Sequence, residues 1–446
     1  MPSICAILER GAAHAPALID GALAWTYAQL RAEAARYTAL LDAAGVRAGD
    51  RVMVVSENCA AQVALMFAVA SLRAWIVNAN ARLSAAELAA IETHSGARLV
   101  IRIAAGMPVV GALNHACAPE TDRDVAALIY TTGTTGDPKG VLLTHANLLF
   151  VAQASSTLRA VVASDRAYGV LPISHVYGLT SVLLGTLYAG ACLVLEARFT
   201  PAAMRAALPG LTILQGVPAM YARLLDACAD MPPATSLRFI YAGGSPLDPA
   251  LKARVERLFG LPLHNGYGLT ETSPTVSQTR LDAPRSDTSV GMAIPGVEVK
   301  LVGALNELWV RGPNVMRGYY RRPPVLDAHG WLNTGDMARI DPDGAIFITG
   351  RTKELIIRAG FNVHPLEVET AMNAHPDVAL SAVVGRALAD GDEEVVAYVQ
   401  PRAGCVEPDL TAWLAARLAP YKRPARIVFM DALPAAANGK VLKHRL

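Results

Sequence analysis

The sequence predicts an α/β protein with a large N-terminal domain and a small C-terminal α+β domain. The chain has 446 residues, of which 53% are hydrophobic, enough apolar material for more than one core. From the N-terminus onward, helical periods of about 10 to 15 residues alternate with apolar runs of about four to six. Such alternation is typical of parallel sheets flanked by helices.

The first third of the chain repeats a helix followed by a buried strand. Helical periodicity runs from Trp25 to Gly45, and the β-branched run RVMVVSEN begins at Arg51. The pattern recurs in AQVALMFAVASLRA before WIVNAN, and in SAAELAAIETHSGA before RLVIRI. The longest uncharged stretch, 178–195, is interrupted by Gly, Thr, Ser and Tyr, so it predicts a buried helix and strand and no integral membrane segment.

The pattern continues through RFTPAAMRAALPG, LTILQGV, PAMYARLLDACAD and LRFIYAGG, and changes after Pro284. Short strands with glycine-rich turns (VEVKLVG, NELWVRG, AIFITG) predict a β-rich subdomain that ends near Arg351. Beyond Lys353 a helix, two strands and another helix follow (PLEVETAMNAH, ALSAVVG, EVVAYVQP, DLTAWLAARLA). We therefore predict an N-terminal domain over 1–352 and a mobile C-terminal domain over 353–446.

Composition and charge exclude several classes of partner. With 40 Lys plus Arg against 38 Asp plus Glu, the net charge of +2 provides no basic field for nucleic acid or an anionic membrane. The six cysteines form no C-x-x-C pair, so we expect reduced, buried thiols without zinc or disulfides. The N-terminus lacks the pattern of a secretory signal, which predicts a cytoplasmic location.

The segment ALIYTTGTTGDPKGVLLTH, from Ala127 to His145, has the composition of a phosphate-binding loop after a strand. Glycine lets backbone N–H groups approach a polyanion, hydroxyls donate further hydrogen bonds, and lysine adds a positive charge. A Walker A loop is disfavoured because proline precedes the lysine and glycine follows it. A plain surface turn is the other alternative, but it would not need so many threonines. The candidate residues are Thr131, Thr132, Gly133, Thr134, Thr135, Gly136 and Lys139.

This segment resembles the phosphate-binding signature of the adenylate-forming superfamily, which includes acyl-CoA synthetases, luciferases and the adenylation domains of peptide synthetases. Thr132 stands where the family usually has serine. Threonine keeps the hydroxyl group of serine and adds a methyl group. The resemblance implies ATP and Mg²⁺ as cofactors and CoA as co-substrate.

Further segments match the family in order over nearly the whole chain. NGYGLTET resembles the segment in which an aromatic ring stacks on adenine, a threonine contacts phosphate and a glutamate holds magnesium, which implies these roles for Tyr267, Thr270 and Glu271. WLNTGD resembles the segment whose aspartate accepts both ribose hydroxyls, here Asp336, with Arg351 as its companion. The resemblance also assigns to the nucleotide site the glycines at the end of LRFIYAGG, which are Gly243 and Gly244.

Near the C-terminus, PAAANGKVLKHRL contains Lys440, which resembles the family's catalytic lysine; a solvated basic tail is the alternative. The resemblance implies that this lysine enters for adenylation and leaves for thioester formation by a domain rotation about Lys353. Rotation would bring Gly360, preceded here by Ala359 where relatives often have glycine, to the path of a pantetheine arm. Acetylation of Lys440 would remove its charge and so act as a regulatory switch.

The acceptor and the acid are less closely defined by the sequence. Lys422 and Arg423 in YKRPARI resemble CoA-ligase residues that meet CoA phosphates, although a solvated helix end is an alternative. His175 in LPISHVYGL is assigned to acid positioning, and Gly266 leaves no side chain and no cation at the predicted pocket floor. A neutral aryl or medium-chain fatty monocarboxylic acid is therefore expected.

The leading hypothesis is an ATP-dependent acid:CoA ligase that forms an acyl-adenylate and then an acyl-CoA. The alternatives are an adenylation enzyme that loads a carrier protein, a malonyl-type dicarboxylate ligase, and a non-catalytic nucleotide-binding protein. The sequence does not decide between a monomer and a homodimer. It also does not show whether activity is reduced by the segments that are shorter than in apparent relatives.

Overall fold

The computed structural model describes residues 3–131, 138–228, 234–388, 392–402, 404–435 and 441–446. The α-helices are α1 (Tyr27–Ala43), α2 (Ala60–Ser71), α3 (Ala85–Ser95), α4 (His145–Leu158), α5 (Gly185–Tyr188), α6 (Pro201–Ala207), α7 (Pro218–Ala227), α8 (Pro249–Phe259), α9 (Pro365–Asn373) and α10 (Glu407–Ala415). A π-helix spans Tyr177–Leu184, and short 3₁₀ segments span Ile4–Glu9, Leu208–Gly210, Thr270–Thr272, Thr352–Glu354, Pro420–Lys422 and Lys443–Arg445.

The strands up to the β-rich region are β1 (Pro16–Asp20), β2 (Leu23–Thr26), β3 (Arg51–Ser56), β4 (Trp75–Asn80), β5 (Leu99–Ala104), β6 (Met107–Val110), β7 (Val125–Thr131), β8 (Lys139–Thr144), β9 (Arg166–Gly169), β10 (Cys192–Leu195), β11 (Ile213–Gly216), β12 (Phe239–Ala242), β13 (Leu263–Gly268), β14 (Thr275–Gln278) and β15 (Met292–Ala293). The remaining strands are β16 (Glu298–Val302), β17 (Glu307–Arg311), β18 (Gly318–Tyr319), β19 (Leu332–Ile340), β20 (Ile346–Arg351), β21 (Ile356–Arg358), β22 (Phe361–Val363), β23 (Val378–Ala387), β24 (Glu393–Pro401) and β25 (Arg426–Phe429).

Two large mixed sheets form most of the molecule, which confirms the predicted α/β class. A nine-stranded sheet has the order β15-β14-β13-β12-β11-β9-β10-β1-β2, and a seven-stranded sheet has the order β18-β8-β7-β4-β3-β5-β6. Their central strands run parallel, and antiparallel strands close the edges. Helix α2, buried along nearly its whole length, packs in the large core that both sheets share.

The predicted β-rich segment is an antiparallel four-stranded sheet in the order β16-β17-β19-β20. Beyond it, β23-β24-β25 and the hairpin β21-β22 pack with α9 and α10 around a separate hydrophobic core, whose buried members run from Ile356 to Leu418. A cavity of about 570 Å³ lies between this small unit and the four-stranded sheet, lined by residues that include Asn306, Arg339 and Glu367.

A capping box connects the phosphate-loop segment to the β-rich region. The Thr144 side chain accepts from the backbone N–H of Asn147 at 3.1 Å, and the Asn147 side chain accepts from the backbone N–H of Thr144 at 2.9 Å. The Asn147 amide also donates to the carbonyls of Pro313 and Val315 at 2.7 and 2.9 Å. The start of α4 therefore fixes the chain that leads into β18.

Two local expectations need correction, and a third is confirmed with a refinement. Trp25 and Thr26 belong to β2, and α1 begins only at Tyr27, because Thr26 caps that helix through a capping box with Gln29. The uncharged stretch does form a buried helix and strand, but its first part is a π-helix. All six thiols are free as expected, although only Cys192 and Cys228 are buried and the other four are half-buried.

Candidate active site

The predicted phosphate loop joins two paired strand ends. Thr131 ends β7 and Lys139 begins β8, and these two residues face each other in the antiparallel register. Thr132, Gly133, Thr134, Thr135 and Gly136 lie outside the described residues. The two ends of the predicted loop therefore lie side by side, and Lys139 stands at one of them.

Glu271 lies in the short 3₁₀ turn after β13, beside the buried Thr270. The Tyr319 hydroxyl donates to Oε1 of Glu271 at 2.6 Å, and the Lys139 ammonium lies 5.7 Å from the centre of the Tyr319 ring. Burial and then the Glu271 charge raise the pKa of the Tyr319 phenol, which keeps its proton. Sequence reasoning missed Tyr319, which lies between the two charged residues.

Asp336 and Arg351 are direct cross-strand partners in β19 and β20. Their side chains form an ion pair, with Nε of Arg351 2.9 Å from Oδ1 of Asp336. The Tyr267 hydroxyl donates to the other carboxylate oxygen at 2.5 Å. The Asp336 side chain is only 3% exposed, whereas that of Arg351 is 43% exposed. Three of the predicted residues thus form one connected cluster.

The pKa shifts of this cluster follow from burial and charge. Burial, followed by the Asp336 charge, raises the pKa of Tyr267 well above its ordinary value. For Arg351 burial lowers the pKa, but the negative charges of Asp336, Glu354 and Glu271 outweigh it, so the net shift is upward. The tyrosine is therefore a neutral donor and the arginine a permanent cation.

The donor set around Glu271 fits Mg²⁺ that is also bound by phosphate oxygens. In the described part of the chain, no group of three or more His, Cys, Asp and Glu is placed to hold a metal by itself. Among the described residues Glu271 forms no ion pair, although its charge is felt by Arg351. Mg²⁺ commonly takes one or two protein carboxylates and completes its shell with substrate phosphates and water, which a single carboxylate at a phosphate loop can support.

His175 precedes the π-helix, and its Nδ1 accepts from the backbone N–H of Tyr177 at 3.3 Å. The Tyr177 ring lies beside the strand-end glycines: a Cβ added to Gly243 would be 3.3 Å from it. Gly244 has φ of +85°, a conformation that favours glycine. The Tyr177 hydroxyl is buried without a hydrogen-bond partner among the described residues. His175, Tyr177 and the two glycines thus lie together, and π-helical turns frequently occur at functional sites.

The space above Gly266 is filled by Tyr241. A Cβ at position 266 would lie 1.7 Å from the Tyr241 hydroxyl oxygen and 2.8 Å from the carbonyl oxygen of Ser277. The Arg159 guanidinium stacks on the Tyr241 ring at 4.0 Å and donates to the side-chain oxygens of Gln215 and Gln278 at 2.5 and 3.2 Å.

Gly266 carries no cation itself, as the sequence indicated, but a buried arginine lies behind the tyrosine that covers it. Arg159 is 2% exposed and joins no ion pair among the described residues. Its position at the end of α4 gave no signal in the sequence, since a charged helix end is ordinarily solvated.

The residues assigned to CoA lie on the small unit and already have internal partners. Lys422 forms an ion pair with Glu367 at 2.6 Å, and Arg423 donates to the carbonyls of Leu418 and Ala415 at the end of α10. Gly360 has φ of +77° at the tip of the β21-β22 hairpin, and a Cβ there would meet no atom within 4 Å. The hairpin tip therefore has open space, whereas both basic side chains would have to exchange partners to meet a phosphate.

Lys353 lies in the 3₁₀ segment between the two hydrophobic cores. Its neighbour Glu354 pairs with Lys443, whose ammonium also contacts Glu369 at 2.7 Å. Lys440 lies outside the described residues. The C-terminal segment is thus attached both to α9 and to the chain beside Lys353.

The fold and this cluster define an adenylate-forming enzyme, and comparison with known proteins bears this out. A family model described as AMP-binding enzyme matches residues 8–320, and one described as AMP-binding enzyme C-terminal domain matches residues 367–440. The chain therefore belongs to the AMP-binding enzyme family, within its acid:CoA ligase branch, and is an AMP-forming acid–thiol ligase that uses ATP and CoA.

Individual relatives are similar to this chain over nearly its full length. A feruloyl-CoA synthase from an Amycolatopsis species is 35% identical over 96% of this chain and 95% of the relative. The crystal structure of ATP-bound MatB from Rhodopseudomonas palustris has a TM-score of 0.90 and 30% identity, covering 99% of this chain and 97% of MatB. O-succinylbenzoate-CoA synthetase of Bacillus subtilis, in complex with ATP and a magnesium ion, has a TM-score of 0.87 and 29% identity, covering 100% of this chain and 99% of that enzyme.

Helices long and apolar enough to cross a bilayer do not occur in the described ranges. The sequence prediction that the stretch 178–195 is not a membrane span agrees with this finding.

Proposed function

We propose that the cluster around Tyr267, Glu271 and Asp336 binds Mg-ATP and transfers its adenylate to an aryl carboxylic acid. The observation that carries this proposal is the contrast between the two carboxylates. Asp336 is paired with a cation and accepts from a tyrosine, which suits neutral ribose hydroxyls. Glu271 has no ion-pair partner among the described residues, which suits a divalent cation.

The phosphate loop and its flanks receive the triphosphate in this proposal. Thr131 and Lys139, with the intervening Thr132 to Gly136, contribute hydroxyls, backbone N–H groups and one ammonium, and Thr270 contacts the α-phosphate. Mg²⁺ on Glu271 supplies charge neutralisation to the phosphates when bound. The ring of Tyr267 lies against adenine, and the backbone of Gly243 and Gly244 approaches the nucleotide.

Lys440 is the proposed catalytic cation of adenylation, carried by a domain over 353–446 that rotates about Lys353. The separate core that begins at Ile356 and the cavity of about 570 Å³ at the junction support a movable unit. Lys440→Ala should lower acid-dependent pyrophosphate release by about 10²- to 10³-fold. The same variant should convert a supplied acyl-adenylate and CoA at nearly the wild-type rate; equal loss in both half-reactions would contradict the role.

The acid pocket is proposed to lie between His175, Tyr177, Gly243 and Gly266, with Tyr241 as its floor. Aromatic walls favour a planar aryl acid, and the 35% identical feruloyl-CoA synthase supports the same class. A panel of hydroxycinnamic, benzoic, medium-chain fatty and dicarboxylic acids, assayed by pyrophosphate release, tests this. Faster turnover of malonate than of any aryl or fatty acid would overturn it in favour of a dicarboxylate ligase.

CoA is the thiol of this family branch, and Gly360, Lys422 and Arg423 are proposed to meet it after rotation. Lys422 must then leave Glu367, so Glu367→Gln should lower the KM for CoA without changing the KM for ATP. Turnover that stalls after one equivalent of pyrophosphate with CoA, but proceeds with a phosphopantetheinyl carrier, would favour carrier-protein loading.

Cytoplasmic location, control by acetylation of Lys440, and the choice between monomer and homodimer remain predictions. Site-specific incorporation of acetyl-lysine at position 440 should abolish adenylation and leave the second half-reaction intact. Sedimentation at several concentrations measures the oligomeric state.

A further inference from the structure

Three parts of the candidate site meet at Tyr319: the turn that carries Glu271, the end of the phosphate loop at Lys139, and strand β18. We propose that Tyr319 is a positioning residue that fixes the orientation of the Glu271 carboxylate, and its spacing from Lys139, for Mg-ATP. This inference rests on the proposed nucleotide role of Glu271.

The first support is the side chain itself. The Tyr319 hydroxyl donates to one carboxylate oxygen of Glu271 at 2.6 Å, which fixes the rotation of the carboxylate. A phenol does this without cancelling the charge, so the carboxylate keeps its full attraction for a cation. An arginine or lysine in the same place would compete with the metal.

The second support is the position of the ring. The Lys139 ammonium lies 5.7 Å from its centre, inside the range of a cation–π contact. Tyr319 therefore contacts Glu271 through its hydroxyl and Lys139 through its ring.

The third support is the backbone on either side of Tyr319, which is hydrogen-bonded to both neighbours. The N–H of Met316 donates to the carbonyl of Glu271 at 2.9 Å. The N–H groups of Arg317 and Tyr320 donate to the carbonyls of Leu142 and Gly140 at 2.9 and 2.8 Å. Residues 316–320 thus join the Glu271 turn to β8, and Tyr319 is placed by fixed backbone on two sides.

The adjacent Tyr320 provides a matched control. Its hydroxyl also donates to a glutamate, Glu120, at 2.5 Å, and its ring packs edge-on against Trp75 at 5.8 Å. Tyr320 belongs to a different hydrophobic cluster, and Glu120 is not among the candidate site residues. Tyr320→Phe therefore removes the same kind of bond from the next residue without touching Glu271.

The test compares Tyr319→Phe and Tyr320→Phe in the full-length protein by calorimetric titration of ATP with and without Mg²⁺. We expect Tyr319→Phe to lose about 10- to 100-fold of the Mg²⁺-dependent gain in ATP affinity, as for other groups that orient metal ligands. Its metal-free ATP affinity should stay unchanged, because Phe keeps the ring beside Lys139. Tyr320→Phe should keep the wild-type Mg²⁺ dependence.

A double-variant cycle checks that the effect passes through Glu271. In a Glu271→Gln background, adding Tyr319→Phe should cause no further loss of the Mg²⁺ effect. Equal weakening with and without Mg²⁺, or an equal effect of both tyrosine variants, would overturn the inference and leave a structural role. A Mg²⁺ effect absent already in the wild-type protein would instead overturn the proposed role of Glu271, and with it this inference.

Discussion

Replacing Asp336 by asparagine tests the ribose site and keeps the shape of the side chain. The carboxylate is 3% exposed, accepts from the Tyr267 hydroxyl at 2.5 Å and pairs with Arg351 at 2.9 Å. A hydrogen bond to a charged group contributes about 1.5 to 3 kcal/mol. The Arg351 side chain is 43% exposed, so solvent screening reduces its share to about 1 kcal/mol or less. We therefore expect Asp336→Asn to lower the free energy of unfolding by roughly 2 kcal/mol.

Asp336→Asn should also lower the affinity of the folded protein for ATP, an effect that the loss of stability does not by itself produce. An amide that replaces the carboxylate offers the ribose hydroxyls a neutral acceptor, and a loss of about 1.5 to 3 kcal/mol corresponds to roughly 10- to 100-fold in ATP affinity. Calorimetric titration of the folded variant with Mg-ATP measures this change, and urea unfolding measures the stability.

Asp165→Asn is the matched control. Asp165 is 2% exposed and accepts from Arg238 and Thr212 at 2.7 Å each, in a part of the fold without candidate site residues. It should lose a comparable amount of stability and bind ATP normally. If Asp336→Asn bound Mg-ATP as tightly as the wild-type protein, or if Asp165→Asn weakened ATP equally, the reasoning about the ribose site would be refuted.

Three further predictions concern the frame around the site. Burial, and then nearby positive charges, lower the pKa of His145 and of His264 to about 4, so between about pH 6.5 and 4 only the unfolded state takes up these protons. Stability should therefore fall as the pH falls below 6.5, by roughly 2 kcal/mol per histidine at pH 5, and urea midpoints should depend less on pH in His145→Gln and His264→Gln. Gly266→Ala should lower the free energy of unfolding by about 1 to 3 kcal/mol and lower kcat/KM for the acid at unchanged ATP affinity, because Tyr241 must move. Adding Tyr241→Leu to this variant should recover part of the stability and part of kcat/KM. Wild-type stability and kcat/KM in Gly266→Ala would contradict the proposal that Tyr241 forms the pocket floor. Lys443→Gln should destabilise the small unit by about 1 to 3 kcal/mol, since Glu354 and Glu369 lose their shared cation, whereas an equally large loss in Lys443→Arg would argue against a charge effect.

The sequence predicted the architecture well because helix and strand periods are local. Runs such as RVMVVSEN and WIVNAN correspond directly to β3 and β4, and the change of pattern after Pro284 marks the four-stranded sheet. The pairing of Asp336 with Arg351 could not come from periodicity, since it depends on the register of β19 with β20; the family resemblance supplied it. The start of α1 was missed by two residues, because the capping threonine and the short strand before it continue the apolar spacing of the helix.

Residues that act across the sheets left no signal in the sequence. Tyr319 belongs to none of the segments that the sequence singles out, and only the pairing of β18 with β8 brings it to Glu271. Arg159 stands at a helix end where a charge is normally solvated, yet its guanidinium is buried against Tyr241. In both cases the partner lies far away in the chain, so the contact depends on topology.

The two carboxylates of the site differ in how their charge is treated, and this difference explains their separate tasks. Each accepts a hydrogen bond from a tyrosine, Tyr267 for Asp336 and Tyr319 for Glu271, and a neutral phenol orients a carboxylate without cancelling its charge. Only Asp336 also forms an ion pair with an arginine among the described residues, so much of its charge is balanced before any ligand arrives. A carboxylate held in an ion pair can accept neutral hydroxyls but attracts a metal weakly, whereas Glu271, which has no such ion pair among the described residues, gains more from a divalent cation. A cation placed beside Glu271 should therefore impair mainly the metal-dependent part of ATP binding. Removal of Arg351 should impair ATP binding with and without the metal.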